Sequence, residues 1–329
     1  MKQFITMLLV TVIALNVQAQ QEGHTDWNKK RYEHFKERNI SRSFSASGNT
    51  LSIDNSFGDV TVIASGGNEI KVDIHIEASS SDKEHAERTF NKLDVTESKD
   101  GNTIRFKTTT DKNKDDHYCK NCKTSMMINY TIHLPVSTPL KIVNQFGGIK
   151  LPDYSGTVSL TSKFGSLTTG ALTKVEKLWV EFGKANVKSV SNVDATFKFS
   201  TVTVESMGGN NNIKIEFCGN SRFNLSSDLT GLQMNESYST VNLRPASNLS
   251  ASYHIRTSFG SVRDRSNANI KRVDEPDRYG PDSNKEYEGK SGSGSAKIEI
   301  KSSFGNLIIG EATAEEMKDK EKEKHKTKI

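Results

Sequence analysis

Three stretches of the chain repeat one phrase: NQFGGIKL at 144–151, SKFGSLTT at 162–169 and VEFGKANV at 180–187. Each holds Phe-Gly, then an apolar or small residue three places after the Phe, and usually another at five. Aligned on the aromatic, the phrase recurs as Phe57-Gly58, Phe146-Gly147, Phe164-Gly165, Phe182-Gly183, Phe259-Gly260 and Phe304-Gly305. Phe199-Ser200 and Tyr238-Ser239 carry Ser in place of Gly, and Phe217 sits in a distorted copy, EFCGNSRFNL. From Phe146 the successive spacings are 18, 18, 17, 18, 21, 21 and 45. A steady period of this size marks an architecture of stacked coils.

Apolar residues alternate before the aromatic. Leu51 and Ile53 precede Phe57 by six and four, as Leu140 and Ile142 precede Phe146 and Ile298 and Ile300 precede Phe304. A period of two predicts a strand with one buried face, with the Phe on that face. After the aromatic the parity breaks: Val60 and Val62, Ile149 and Leu151, Val202 and Val204 lie at plus three and plus five. Both sets face one core only if the chain bends at the Gly, where φ > 0 costs no Cβ clash. The corners at Ser200 and Ser239 are then expected to use another geometry. The predicted fold class is all-β: a single-stranded parallel β-solenoid or β-helix, with its aromatic rings packed in one dry column.

The residue before the aromatic reads Lys163, Glu181, Lys198 and Glu216 through four copies. Stacked coils would place these about 4.8 Å apart, where alternating signs attract.

Around this stack the chain divides as follows. MKQFITMLLVTVIALNVQAQ has a short basic start, an apolar run of 12 residues (Phe4–Leu15) and Val17-Gln18-Ala19. It reads as a signal peptide over 1–19, cut after Ala19, which implies export to the periplasm, the cell surface or the medium. No second long apolar run predicts a transmembrane span. Residues 20–45 are polar and read as a flexible lead-in. Residues 46–135 read as an N-terminal strand-rich capping module. In it Ser81-x-x-Glu84 fits a capping box opening a short helix, and a KDGN turn at 99–102 closes a hairpin. Residues 136–310 are the repeats, interrupted by a loop or disordered insertion at 265–296. The tail 311–329, dense in Lys and Glu, should be solvated.

The net charge of +5 is small against 85 charged residues, and no dense basic cluster occurs, so nucleic acid is not an expected partner. No nucleophile elbow, HExxH or phosphate loop is present. No catalytic, metal or cofactor site is predicted. Cys119-Lys-Asn-Cys122 is the sharpest local motif. In an exported chain it reads as a local disulfide, against a redox pair or a metal site with His117. Cys218 is the odd cysteine and reads as a buried thiol.

LSIDNSFGDVTV, the strand-helix-hairpin after it, INYTIHLPVSTPLKIVNQFGGIKL and the later FG copies resemble the bacterial putative-adhesin family of unknown function. The likeness covers about residues 45–310, with Phe standing where many members have Ser, and with two long insertions. It implies an envelope-exposed, non-enzymatic β-solenoid and supplies no site residues. The expected partner is an extended ligand, glycan or protein. The competing expectations are a polysaccharide-processing β-helix enzyme, resting on fold analogy, and an envelope-stress or regulatory partner.

Overall fold

A computed structural model describes residues 31–111, 119, 121–276 and 281–317. The expected signal peptide, residues 20–30 of the lead-in, His117 and the tail beyond 317 lie outside the described residues. The chain is all-β, with one helix among the described residues. In chain order it runs β1 (His34–Ser45), β2 (Thr50–Ser56), β3 (Val60–Ala64), β4 (Glu69–Ser80), α1 (Lys83–Lys92), β5 (Leu93–Asp100), β6 (Thr103–Thr110) and β7 (Thr124–Leu134). There follow β8 (Leu140–Gln145), β9 (Gly148–Leu151), β10 (Tyr154–Lys163), β11 (Ser166–Glu181), β12 (Lys184–Ser191), β13 (Asp194–Lys198), β14 (Thr201–Glu216), β15 (Ser221–Ser237) and β16 (Thr240–Pro245). The last elements are β17 (Ala251–Ser258), β18 (Ser261–Arg265), β19 (Lys271–Arg272), β20 (Asn284–Ser291), β21 (Ala296–Ser303) and β22 (Asn306–Gly310).

Successive copies of the phrase pair in parallel and in register. On the side preceding the aromatic, Leu51 pairs with Leu140, Leu140 with Val158, Leu160 with Leu178 and Leu178 with Ala195. On the side following it, Val60 pairs with Ile149, Ile149 with Leu167, Leu167 with Ala185 and Ala185 with Val202. Long strands serve both sides. The start of β11 pairs with β12 and its end with β13, and β14 pairs with both, so these four strands close a cycle. The alternating apolar residues of both sides meet in one core, with Leu51, Ile142, Ile149, Val202, Ile213 and Val241 all at 0% exposure. Burial of this size is the main stabilising term.

Four expectations are corrected. Residues 34–45 are not a flexible lead-in: β1 pairs antiparallel with β4 over all twelve of its residues, and Ile40 and Phe44 pack on the core. The helix opens at Asp82, not Ser81, because the Asp82 carboxylate accepts from the His85 N–H at 2.8 Å. The 265–296 insertion is not loop throughout. β20 pairs antiparallel with β17 over eight residues, and β19 pairs with β20. The last copy is also out of sequence order. β21 lies between β15 and β17, parallel to both, and β22 lies between β16 and β18. The chain therefore skips one level after β16, forms β17 and β18, turns through β19 and β20, and returns to fill the gap.

In the tail, Glu316 binds Arg263 at 2.7 Å and Arg265 at 2.6 Å, clasping β18. Its carboxyl is held down to about 2 by the Thr313 N–H and then by the two guanidinium groups.

Candidate functional site

Every aromatic of the phrase has a left-handed backbone, with φ between 48° and 68° from Phe57 to Phe304. Such a conformation costs an L-residue roughly 1–2 kcal/mol. The bend that the parity break demands is therefore made at the aromatic, one residue before the Gly. It swings the ring away from the core. The expectation of a buried dry column is corrected: the rings of Phe146, Phe164, Phe182, Phe199, Phe217, Tyr238, Phe304 and Phe259 are 43–56% exposed.

The glycines serve a different end from the one expected. Gly165 and Gly183 do not have positive φ, and a Cβ on Gly165 would lie 1.9 Å from the carbonyl oxygen of Gly147 in the copy below. At Gly183 the same contact, to Gly165, is 2.0 Å. Close backbone approach, not left-handed freedom, selects Gly. The corners with Ser200 and Ser239 were expected to differ, yet Phe199 and Tyr238 keep φ at 48° and 51°. The Ser200 and Ser239 hydroxyls donate to Lys198 O at 2.6 Å and Ser237 O at 2.8 Å, and accept from the N–H groups of Gly183 and Cys218 respectively.

The rings stack outside the sheets in the order Phe57, Phe146, Phe164, Phe182, Phe199, Phe217, Tyr238, Phe304, Phe259. Neighbouring centroids are 4.7–5.5 Å apart and the planes differ by 2–12°. Aromatic pairs of this kind contribute about 0.5–1.5 kcal/mol each beyond area, enough to offset much of the backbone cost. The result is a continuous stripe roughly 40 Å long at the strand repeat. Beside it the anticipated charge column forms: Lys163 meets Glu181 at 3.4 Å and Lys198 meets Glu216 at 2.7 Å. The Glu216 carboxyl is lowered by Lys198 and then Lys214.

Two residues inside the corner lies a second column, partly polar. At one end Asn55 and Asn144 are fully buried, and the Asn55 side-chain amide donates to Asn144 Oδ1 at 3.0 Å. At the other, Glu236 is 4% exposed, accepting from the Ser239 N–H at 2.8 Å and from the Ser302 hydroxyl. Burial pushes its carboxyl up to about 7. Sequence reasoning passed over Glu236, although its place two residues before Tyr238 matches Asn144 before Phe146.

Near the Phe259 end a cleft of about 540 Å³ is lined by Arg256, Asp274, Glu275, Lys285, Glu286 and Lys301, among others. Two of its three acids have basic partners: Asp274 binds Arg272 at 2.6 Å and Glu286 binds Arg256 at 3.3 Å. Asp274 is held down to about 2, chiefly by Arg272, the opposite of what a general acid needs.

The Cys119 and Cys122 sulfurs are placed in bonding contact. Cys218 is buried at 1% exposure, and burial pushes its thiol up to about 11. Among the described residues, two groups of side chains have metal-ligand chemistry: Glu37, His75 and Glu77, and Asp82 with Cys119 and Cys122. In the first, Arg31 already meets Glu37 at 2.8 Å and Glu77 at 3.4 Å; in the second, the sulfurs bind each other. Neither arrangement leaves a ligand set ready for an ion. Among the described residues, no helix is long and apolar enough to cross a membrane.

No protein-family model matches the chain, and no curated protein matches it. Among solved structures the chain is similar to a putative adhesin from Bacteroides fragilis: 11% identity, 83% of this chain and 97% of that one, TM-score 0.36. A putative cell adhesion protein from Clostridium sporogenes is 14% identical over 84% of this chain and 100% of that one, TM-score 0.25. A putative lipid binding protein from Parabacteroides distasonis is 8% identical over 85% and 98%, TM-score 0.29. Likenesses this distant carry no argument about fold detail or activity.

Proposed function

We propose that the chain is an exported, non-enzymatic protein of the bacterial cell envelope: a β-solenoid, capped by its 46–135 module, with an adhesin-like binding or structural role. The solenoid reading is supported by the parallel register repeated from copy to copy. The functional reading rests on one observation, the outward aromatic stripe. Apolar rings in a continuous row, about half exposed, are unusual on a monomer and mark an interaction surface. The alternative, a polysaccharide-processing enzyme, finds its best location in the cleft beside Arg256. The ion pairs of Asp274 and Glu286 there favour binding over acid–base catalysis.

The test is retention of the protein on envelope fractions and on a glycan array. A Phe164→Asn, Phe182→Asn, Phe199→Asn variant removes three central rings and keeps a residue that tolerates positive φ. Loss of retention with unchanged circular dichroism is expected. Retention equal to the unsubstituted chain would refute the stripe as the binding surface. Release of reducing sugar from envelope polysaccharide, abolished by Glu275→Gln with Glu286→Gln, would establish the enzyme instead.

A further inference from the structure

We infer that the partner of the aromatic stripe is a second copy of this chain, packed antiparallel about a two-fold axis between Phe182 and Phe199. The inference rests on the reading of the stripe as an interaction surface.

The rings themselves narrow the partner. Phe164 to Phe304 stack with planes 2–5° apart and centroids 4.7–4.9 Å apart, so each ring face is covered by the next. What remains outside is a row of ring edges. A sugar or planar ligand needs an open ring face to stack on, and the row offers none along its length. A second row with the same repeat can bury ring edges along its length. A strip roughly 40 Å long needs a width of only about 20 Å to bury about 800 Å² per copy, the size of a standard stable interface.

The flanking charges select the orientation. Along the stripe the column before the rings reads Gln145, Lys163, Glu181, Lys198, Glu216, Ser237, each in register with the next. Reversal about the proposed axis sets Lys163 against Glu216 of the second copy and Glu181 against its Lys198, and the converse. All four contacts are then of opposite sign. The next column out agrees: Asp54 falls opposite Lys301, and Thr161 opposite Lys214. On the other flank Lys184 falls opposite Thr201, so no like charges meet there. A half-step shift would set Lys163 against Lys198 and Glu181 against itself. Like charges facing each other cost several kcal/mol, so charge fixes the register while the rings supply burial.

Sedimentation velocity of the exported full chain is expected to show a dimer. Lys163→Glu with Lys198→Glu makes the column wholly acidic, and Glu181→Lys with Glu216→Lys makes it wholly basic. Each variant alone should sediment as a monomer, its dimer dissociation constant raised at least about 100-fold. An equimolar mixture of the two should restore a dimer, as should the fourfold swap in one chain. The broken intrachain pairs are half-buried and each single-sign column adds repulsion between neighbouring copies, so circular dichroism of each variant and the restored dimer of the mixture separate lost pairing from lost folding. A monomeric unsubstituted chain, or charge variants that remain dimers alone, would overturn the inference. So would a monomer that floats with phosphatidylethanolamine–phosphatidylglycerol vesicles, which would assign the stripe to a lipid surface. If the chain is a monomer while the triple Phe→Asn variant still loses envelope retention, self-pairing fails and the binding reading stands. If that variant changes neither, both fail.

Discussion

The two ends of the stack treat the same interior position differently. Two residues before the aromatic, the middle copies hold Val180, Phe197 and Ile215, all buried. Toward the first copy the position becomes Asn55, Asn144 and Ser162; toward the last it becomes Glu236, Ser302 and Thr257. At the first end the amides answer one another. Asn55 donates to Ile128 O at 3.0 Å and accepts from Thr108 Oγ1 at 2.8 Å, while Asn144 donates to Gly58 O and Gly148 O, both at 3.0 Å. At the last end a carboxyl is buried with few donors. Each end also holds one hydroxyl buried without a hydrogen-bond partner, Ser162 toward the first copy and Thr257 toward the last, so the difference between the ends lies in amides against a carboxyl. A neutral network that satisfies itself is stable at any pH. A buried carboxyl ties stability to proton concentration.

The largest effect should come from breaking the amide network of the first end. Asn144→Leu keeps the volume but removes the side-chain donor from Gly148 O, while Gly58 O and Asn55 keep their bond to each other and Asn55 keeps Ile128 O. An orphaned buried carbonyl costs about 1–3 kcal/mol and each further lost bond about 1 kcal/mol, so a loss of roughly 3 kcal/mol is expected. Urea denaturation at pH 5 and pH 8 should return the same loss at both. A loss that differs between the two would show that this end, too, carries a titrating group.

Much of this contrast can be traced back to residues, and some cannot. The period from Phe146 to Tyr238 and the parity break after each aromatic are local, and they lead to stacked parallel copies. The Lys163-to-Glu216 alternation follows from that stacking. The direction of the rings does not. A left-handed Phe is costly in isolation, so Gly165 was the natural candidate for the bend. Only the 1.9 Å approach to the Gly147 carbonyl, a contact between copies, shows why Gly is there. The order of the last copies is equally non-local: a spacing of 45 after Phe259 fits a copy placed beyond it or beneath it. Edge strands are hidden for a related reason. β1 carries polar residues through most of its length because one edge and one face meet water, so its pairing with β4 leaves little hydrophobic pattern. Of the surface itself, Phe and charge positions were visible beforehand; exposure was not.

At the other end, Glu236→Gln should remove the pH dependence. The carboxyl ionises near 7 when folded, against an ordinary value of 4.5. Raised folded affinity for a proton means its contribution is most favourable below about 4.5 and is lost as pH rises through 7. The gap corresponds to about 3 kcal/mol of destabilisation at pH 8 that is absent at pH 4. Gln can keep an acceptor for the Ser239 N–H and offer a donor to Ser302. The variant should therefore gain up to about 3 kcal/mol at pH 8 and nothing at pH 4. Equal stability of both chains across that range would show that water reaches Glu236.

The smallest change tests whether this end is under-satisfied by more than its carboxyl. Thr257 pairs in register with Ser302, which in turn pairs with Glu236, so its hydroxyl lies one step beyond the acid–hydroxyl contact. Thr257→Val replaces that hydroxyl by a methyl of similar volume, and both side chains are β-branched, so strand preference is preserved. A hydroxyl buried without a partner costs about 1–3 kcal/mol, and a methyl at the same place costs none. A gain of about 1 kcal/mol is expected, alike at pH 4 and pH 8, because no proton is bound or released. In combination with Glu236→Gln the two gains should add within about 0.5 kcal/mol if Ser302 keeps its bond to residue 236. A loss on Thr257→Val would mean that the hydroxyl has a partner in water, and that solvent enters the last copy.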